Sequence, residues 1–263
     1  MKCSSLLVSI ITAAATMMPS PGHAQDDGPV ALYVSVDCMK STAIDYVSVE
    51  TDVWQAMHQE LVNQGKRNSW ALYEVHYGDR SKCDFYTVTT MLGLEQLNGD
   101  PSYDEVFQRV HPDDDFMDAM LRTGAARTRV ATELWVAVDG TPIKEHRFAV
   151  VNMMNAADSD AYERMESQVF KPGHQALLDG GHRSGWGLYA LVSPLGTSIP
   201  YNYSTVDFSM NLDPVPMAKA MISANPDRDL DAMQELLNLR EQVSSQTWRL
   251  IAVTKPASDE GGE

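Results

Sequence analysis

Apolar and polar positions along the chain switch between two periods. Residues 30–37 (Val-Ala-Leu-Tyr-Val-Ser-Val-Asp) are rich in β-formers and read as a strand. From Thr42 to Gln64 the spacing lengthens. Tyr46, Val49, Val53, Met57 and Leu61 recur every three or four residues, which is helical, and Gly65 follows as the residue that ends the helix. Trp70 to Tyr77 returns to alternation, with Trp70 and Leu72 on one face and Tyr73 and Val75 on the other. Gly78 to Ser81 is turn chemistry and Phe85 to Leu92 is a third strand. Pro101 to Arg127 is helical in two pieces, broken near His111-Pro112, and Asp113 to Asp115 suits the start of the second piece. Val130 to Val138 closes the unit, and Asp139 to Pro142 is a linker. The β-α-β-β-α-β order then recurs over 147–153, 158–179, 186–192, 203–210, 215–240 and 247–254. Pro172-Gly173 falls late in the first helix of the second unit, where a proline predicts a kink. The first unit has Ala56-Met57 there and should be straighter.

The two units also match residue by residue. His58 to Tyr73 aligns without a gap on His174 to Tyr189 at an offset of 116, with eight of sixteen positions identical. Tyr46, Glu50 and Val53 match Tyr162, Glu166 and Val169 at the same offset. Thr87-Val88 matches Thr205-Val206 at offset 118, and Arg127, Val130 and Trp135 match Arg240, Val243 and Trp248 at offset 113. The changes of offset put the length differences in loops. A repeat of this length is a small domain rather than a solenoid unit.

A β-α-β-β-α-β unit with an antiparallel sheet is the ferredoxin-like plan, and one such sheet leaves a face bare. On the element order, the duplication and the His…Gly-x-Arg-x-x-Trp-x-Leu-Tyr segment, the chain resembles the dimeric α/β-barrel superfamily in its tandem, exported bacterial form. The resemblance implies an α+β fold: two ferredoxin-like repeats, 25–140 and 141–256, packed sheet to sheet as an intramolecular dimeric α/β barrel. That superfamily includes cofactor-free monooxygenases, haem-degrading enzymes, isomerases and ligand-binding proteins, so the fold constrains function little.

Composition narrows the partners. Lys2, the apolar run Leu6 to Met18 and Gly22-His23-Ala24 predict a signal peptide over 1–24 and an exported, periplasmic or secreted mature chain. Removing Lys2 leaves 36 acidic residues against 19 basic ones, a formal charge of −17, and residues 257–263 form an acidic tail. Such a charge argues against nucleic acid and anionic membranes as partners, and leaves a small-molecule ligand. A monomer with pseudo-dimeric halves is expected, with a homo-oligomer left open. Cys38 and Cys83 are the cysteines left after processing. In the ferredoxin-like plan the end of strand one lies beside the start of strand three, so a disulfide is expected, with two separate thiols as the competing reading. No spaced Cys/His set is present, so neither a metal nor another cofactor is expected.

The candidate chemistry lies on the duplicated segments. Tyr46, Glu50, Trp54 and His58, and Tyr162, Glu166, Phe170 and His174, are each spaced by four and share a helical stripe. A carboxylate and an imidazole on one face suit acid–base chemistry, although Glu50 and His58 are about 12 Å apart along the axis and do not bond directly. His58 or His174 is the candidate base and Arg67 or Arg183 the candidate anion holder. Trp70, Trp186, Tyr73 and Tyr189, with Tyr46 and Tyr162, are the candidate ligand contacts. Against each stands a structural role: helix-end arginines, core aromatics, locally satisfied histidines. Arg127 and Arg240 are expected to pair with acids, and the unrepeated His76, His111, His146 and His182 to lie on the surface. The second half is preferred as the active one, because Pro172-Gly173 opens the helix beside His174. Three functional readings stay open. They are a small-molecule-binding protein, a cofactor-independent enzyme acting on a small aromatic or polyketide-like compound, and an interaction module with a filled barrel core. A pocket shared by His, Arg and Glu favours the enzyme.

Overall fold

A computed structural model describes residues 30–213, 219–220, 223, 235 and 237–257. The expected signal peptide, most of the helix expected over 215–240, and the acidic tail beyond 257 lie outside the described residues.

Eight strands carry the architecture: β1 Leu32–Ser41, β2 Ser69–Tyr77, β3 Phe85–Leu92, β4 Arg127–Gly140, β5 Phe148–Ala156, β6 Gly185–Ser193, β7 Tyr203–Ser209 and β8 Arg240–Val253. They close into an antiparallel barrel in the order β1-β3-β2-β8-β5-β7-β6-β4. Within it β4-β1-β3-β2 and β8-β5-β7-β6 are contiguous, each in the strand order of the ferredoxin-like plan. The expected barrel is present, with lumen-facing side chains of both halves packed against each other. The two sets join edge to edge, through β2–β8 and β4–β6, which leaves the barrel without a free edge.

Strand alternation then divides the interior in three. Trp70 and Leu72 of β2 point outward into a core shared with the first-half helices. Trp186 and Leu188 of β6 do the same in the second half. Ala71, Tyr73 and Val75 point into the lumen, against Val151, Phe208 and Trp248. The matched aromatics Trp and Tyr therefore face opposite sides of the wall and do not line one pocket.

The first long helix of each half is interrupted by a π turn. In the first half α1 Tyr46–Val49 runs into a π segment Glu50–Trp54 and then α2 Gln55–Asn63. In the second, α6 Ser159–Met165 runs into Glu166–Phe170 and then α7 Lys171–Asp179. Both halves carry the interruption although only one has a proline, so Pro172 is not its cause and the first helix is not the straighter one. Pro172 instead starts α7, where its missing N–H costs little. Gly65, at φ +68°, ends α2, with Lys66 N–H donating to Leu61 O; Gly181, at φ +75°, and His182 N–H to Leu177 O repeat this after α7.

Between β3 and β4 lie α3 Gly93–Asn98, α4 Tyr103–Val110 and α5 Phe116–Ala126. The break at His111-Pro112 falls where the sequence puts it, and Asp115 caps α5 by accepting from Asp118 N–H at 3.0 Å. Cys38 and Cys83 are joined by a disulfide, with Cα atoms 5.4 Å apart. No helix of the described residues is long and apolar enough to cross a membrane.

Candidate functional site

The first half holds a cavity of about 620 Å³ between its helices and the outer face of the sheet. The π segment and α2 contribute Glu50, Trp54 and His58; the turn after α2 contributes Arg67; β2 and β3 contribute Trp70, Thr87 and Thr89. Beyond them α4 and α5 supply Tyr103, Phe116, Met120 and Gly124, and β4 supplies Arg127, Arg129 and Thr132. Among the described residues, a pocket shared by His, Arg and Glu is thus present in the first half. The matching helix of the second half lies largely outside the described residues.

His58 stacks flat on Trp70, ring centroids 5.1 Å apart and planes 7° from parallel. Its Nδ1 is buried and has no hydrogen-bond partner among the described residues. Burial, reinforced by the Arg67 and Arg127 guanidiniums, lowers its pKa to about 3, so the ring is neutral at physiological pH. Arg67 is steered toward the site by carbonyls: its Nη1 donates to Lys66 O at 2.8 Å and to Gln96 O at 2.9 Å. No carboxylate lies within ion-pair distance of Arg67 among the described residues.

The second half builds the same corner with one change. His174 stacks on Trp186 at 4.6 Å, and Arg183 Nη1 donates to His182 O at 3.1 Å. Here Asp207 of β7 intervenes: its Oδ1 lies 3.1 Å from His174 Nδ1 and 3.7 Å from Arg183 Nε. Asp207 faces Trp186 across the β6–β7 pair as Thr89 faces Trp70 across β2–β3. Matching identical residues in the sequence draws the eye away from this position. The signal lay in the mismatch of Thr89 with Asp207 directly after the matched Thr-Val pair.

Tyr46, Glu50, Tyr162 and Glu166 form a second kind of cluster. Glu50 Oε1 lies 2.8 Å from Arg127 Nε, and Glu166 Oε1 lies 3.3 Å from Arg240 Nε, as expected for the two arginines. Both carboxyls are only 2 % exposed. Burial pushes their pKa up, and the arginines pull against it. Tyr46 and Tyr162 are buried beside them, their hydroxyls raised by burial first and by the carboxylates second. These tyrosines pack edge-on against Phe85 and Tyr203 and do not line the cavity.

The barrel lumen holds a smaller cavity of about 350 Å³, walled by valines, Phe208, Trp135 and Trp248. The barrel is therefore not filled by its own side chains. Tyr73 and Tyr189 both line it, and burial pushes the Tyr189 hydroxyl up to about 12. Tyr73 Oη lies 2.9 Å from His146 Nε2, so His146 belongs to the lumen and not to the surface. His111, half-buried with Nε2 3.3 Å from Val53 O, is likewise not a surface residue; His182, its side chain 39 % exposed beside Asp213, and His76 lie at the surface as expected. Among the described residues no three His, Cys, Asp or Glu converge as a metal site.

No family model matches the sequence, and no curated protein matches it. Solved structures are similar in overall form. A mutant chlorite dismutase from Candidatus Nitrospira defluvii shares 11% identity at a TM-score of 0.46, covering 84% of this chain and 91% of that one. A provisionally assigned monooxygenase from Fusobacterium nucleatum shares 8% identity at a TM-score of 0.48, covering 86% and 95%. Another such protein, from Lactobacillus acidophilus, shares 9% identity at a TM-score of 0.46, covering 86% and 97%. At such identities and TM-scores nothing about chemistry follows from the likeness.

Proposed function

We propose that this chain is an exported small-molecule-binding protein of tandem dimeric α/β-barrel type, built from two fused ferredoxin-like repeats. Its working site is the helix–sheet cavity of the first half. One observation carries this reading: the cavity is bordered by a half-buried neutral imidazole whose Nδ1 has no partner among the described residues, beside a guanidinium with no carboxylate among them. A buried polar atom left unpaired costs about 1–3 kcal/mol, and a ligand that pairs it recovers that free energy. The large ring surfaces of Trp54 and Trp70 fit a flat, aromatic or polyketide-like body.

Cofactor-independent catalysis is the second reading, favoured by His58, Arg67 and Glu50 sharing one cavity. It ranks second because a base of pKa about 3 accepts protons poorly near neutrality. A bound anion opposes the effect of the two guanidiniums, so His58 gains basicity only with ligand in place.

Gly124 offers a direct test. It lines the cavity, and a Cβ added to it meets no heavy atom within 4 Å. Gly124→Leu should fill the cavity while keeping or improving α5, since glycine is a poor helix former by about 1 kcal/mol. Native mass spectrometry of protein purified from its source should show a small molecule retained by the wild type and lost from Gly124→Leu. Equal retention by both proteins would move the site elsewhere, with the lumen next in line.

A further inference from the structure

We propose that the first-half cavity takes a carboxylate, held between His58 and Arg67 in the place that the Asp207 side chain occupies in the second half. The inference rests on the cavity being a ligand site and specifies what enters it.

The two corners are built alike from His on the helix, Trp on the following strand and Arg in the turn between. Strand register fixes where a third group can stand. Thr89 pairs with Trp70 and Asp207 with Trp186, so both sit one strand over from the tryptophan and on its face of the sheet, and Thr89 lines the cavity together with His58. Asp207 Oδ1 lies 3.1 Å from Nδ1 of its histidine and 3.7 Å from Nε of its arginine. The protein thus shows, within itself, which chemistry this corner holds. A single carboxylate oxygen stands within ion-pair distance of both nitrogens, without completing a hydrogen bond to either.

Threonine is shorter than aspartate by one heavy atom and carries no charge. Among the described residues, the first half sets no acid beside His58 Nδ1 or Arg67. The nearby acids are otherwise engaged. Glu50 is 2.8 Å from Arg127, and Asp37 receives a hydrogen bond from Thr132 and lies 3.9 Å from Arg129. Among the described residues, the Arg67 charge therefore stands without a carboxylate at the wall of a cavity of about 620 Å³. A ligand with one carboxylate balances it, and its body lies among Trp54, Trp70, Met91 and Phe116. A charged acceptor between a guanidinium and an imidazole makes the stronger class of hydrogen bond, so the amide of the same acid should bind clearly less well. No covalent step is involved. The acid enters ionised, with one oxygen facing His58 Nδ1 as Asp207 Oδ1 faces His174 Nδ1 at 3.1 Å.

The test uses the full-length protein and four acids, benzoate, salicylate, phenylacetate and hexanoate, each paired with its uncharged amide. Binding is read by calorimetry and by tryptophan fluorescence. At least one acid should bind, and its amide should bind about tenfold to a hundredfold more weakly. Thr89→Asp supplies the internal carboxylate that the second half already has. It should abolish acid binding while leaving the melting temperature unchanged or higher. Amides that bind as tightly as the acids, with Gly124→Leu removing both, would leave the cavity a ligand site and overturn the carboxylate. Acid binding that survives Thr89→Asp would overturn it too. If no acid and no amide binds the wild type, the carboxylate falls together with the reading of the cavity as a ligand site.

Discussion

The two halves agree in one buried cluster and differ in another. Tyr46–Glu50–Arg127 and Tyr162–Glu166–Arg240 repeat residue for residue, with the same atoms paired and the same near-complete burial of the carboxyl. The corners His58–Trp70–Arg67 and His174–Trp186–Arg183 begin alike and part at Thr89 and Asp207. Agreement in the first cluster fits a role needed by each half separately, anchoring the π-turned helix to the strand that starts at the arginine. Divergence in the second puts a carboxylate beside the imidazole in one half and a neutral hydroxyl in the other.

The sharpest way to break the agreement is to remove an arginine. Arg127→Met leaves the buried Glu50 unpaired, and Arg240→Met does the same to Glu166. Each should cost about 3–5 kcal/mol by urea denaturation, with the two losses within about 1 kcal/mol of each other. A large cost in one half and none in the other would show that the clusters are not equivalent.

The disulfide belongs to the first half alone, because Met154 and Tyr201 stand at the matching positions of the second. Cys38→Ser with Cys83→Ser should cost up to about 4 kcal/mol, the chain-entropy value for a closed loop of this length. A double variant as stable as the wild type would assign the bridge no stabilising role.

Acid should separate the corners. His58 is neutral when folded, with a pKa of about 3, whereas an unfolded histidine takes up its proton near 6.5. Its contribution is therefore complete above pH about 6.5 and is lost toward pH about 3, at roughly 1.4 kcal/mol per pH unit. Glu50 and Glu166, with raised values, act with the opposite sign: their contribution is present at low pH and lost as pH rises through the folded-state value. The difference between wild type and His58→Gln across this window isolates the imidazole. No change of slope would contradict its burial in the neutral form.

The smallest effect is expected at Pro172. The π turn is present in both helices, so Pro172→Ala should leave it intact and change stability by less than about 1 kcal/mol. Loss of the turn, seen by NMR amide connectivities, would return its cause to the proline.

Much of this was legible in the sequence. Period-two alternation separates Trp70 and Leu72 from Tyr73 and Val75, and the structure puts them on opposite sides of the barrel wall. Gly65 ends α2 because a left-handed residue is needed there, and glycine adopts that conformation without strain. Other features left no local trace. A π turn adds one residue to a helical turn without any distinctive residue type, so periodicity reads through it. His146 has no repeat partner, and its bond to Tyr73 depends on closure of the barrel, which brings residues 73 apart in sequence together. The site itself was readable in its members, His58, Arg67 and Trp70, but not in its state. That state hangs on Thr89, a residue with no chemistry of its own, and on what it fails to neutralise.

The β2–β8 seam has a consequence for the making of the protein. It pairs Tyr73 with Leu250, and it is reinforced where Thr254 N–H donates to Trp70 O and Trp70 N–H to Thr254 Oγ1. A chain growing from its N-terminus cannot close this seam until its last strand is synthesised. Until then β2 and β5 both present open edges flanked by lumen-facing apolar side chains. Residues 240–253 thus act as the final stave, and any product that stops short of them is an open sheet primed to pair with its neighbours. Closure of the barrel therefore waits on long-range contacts that only β8 can make.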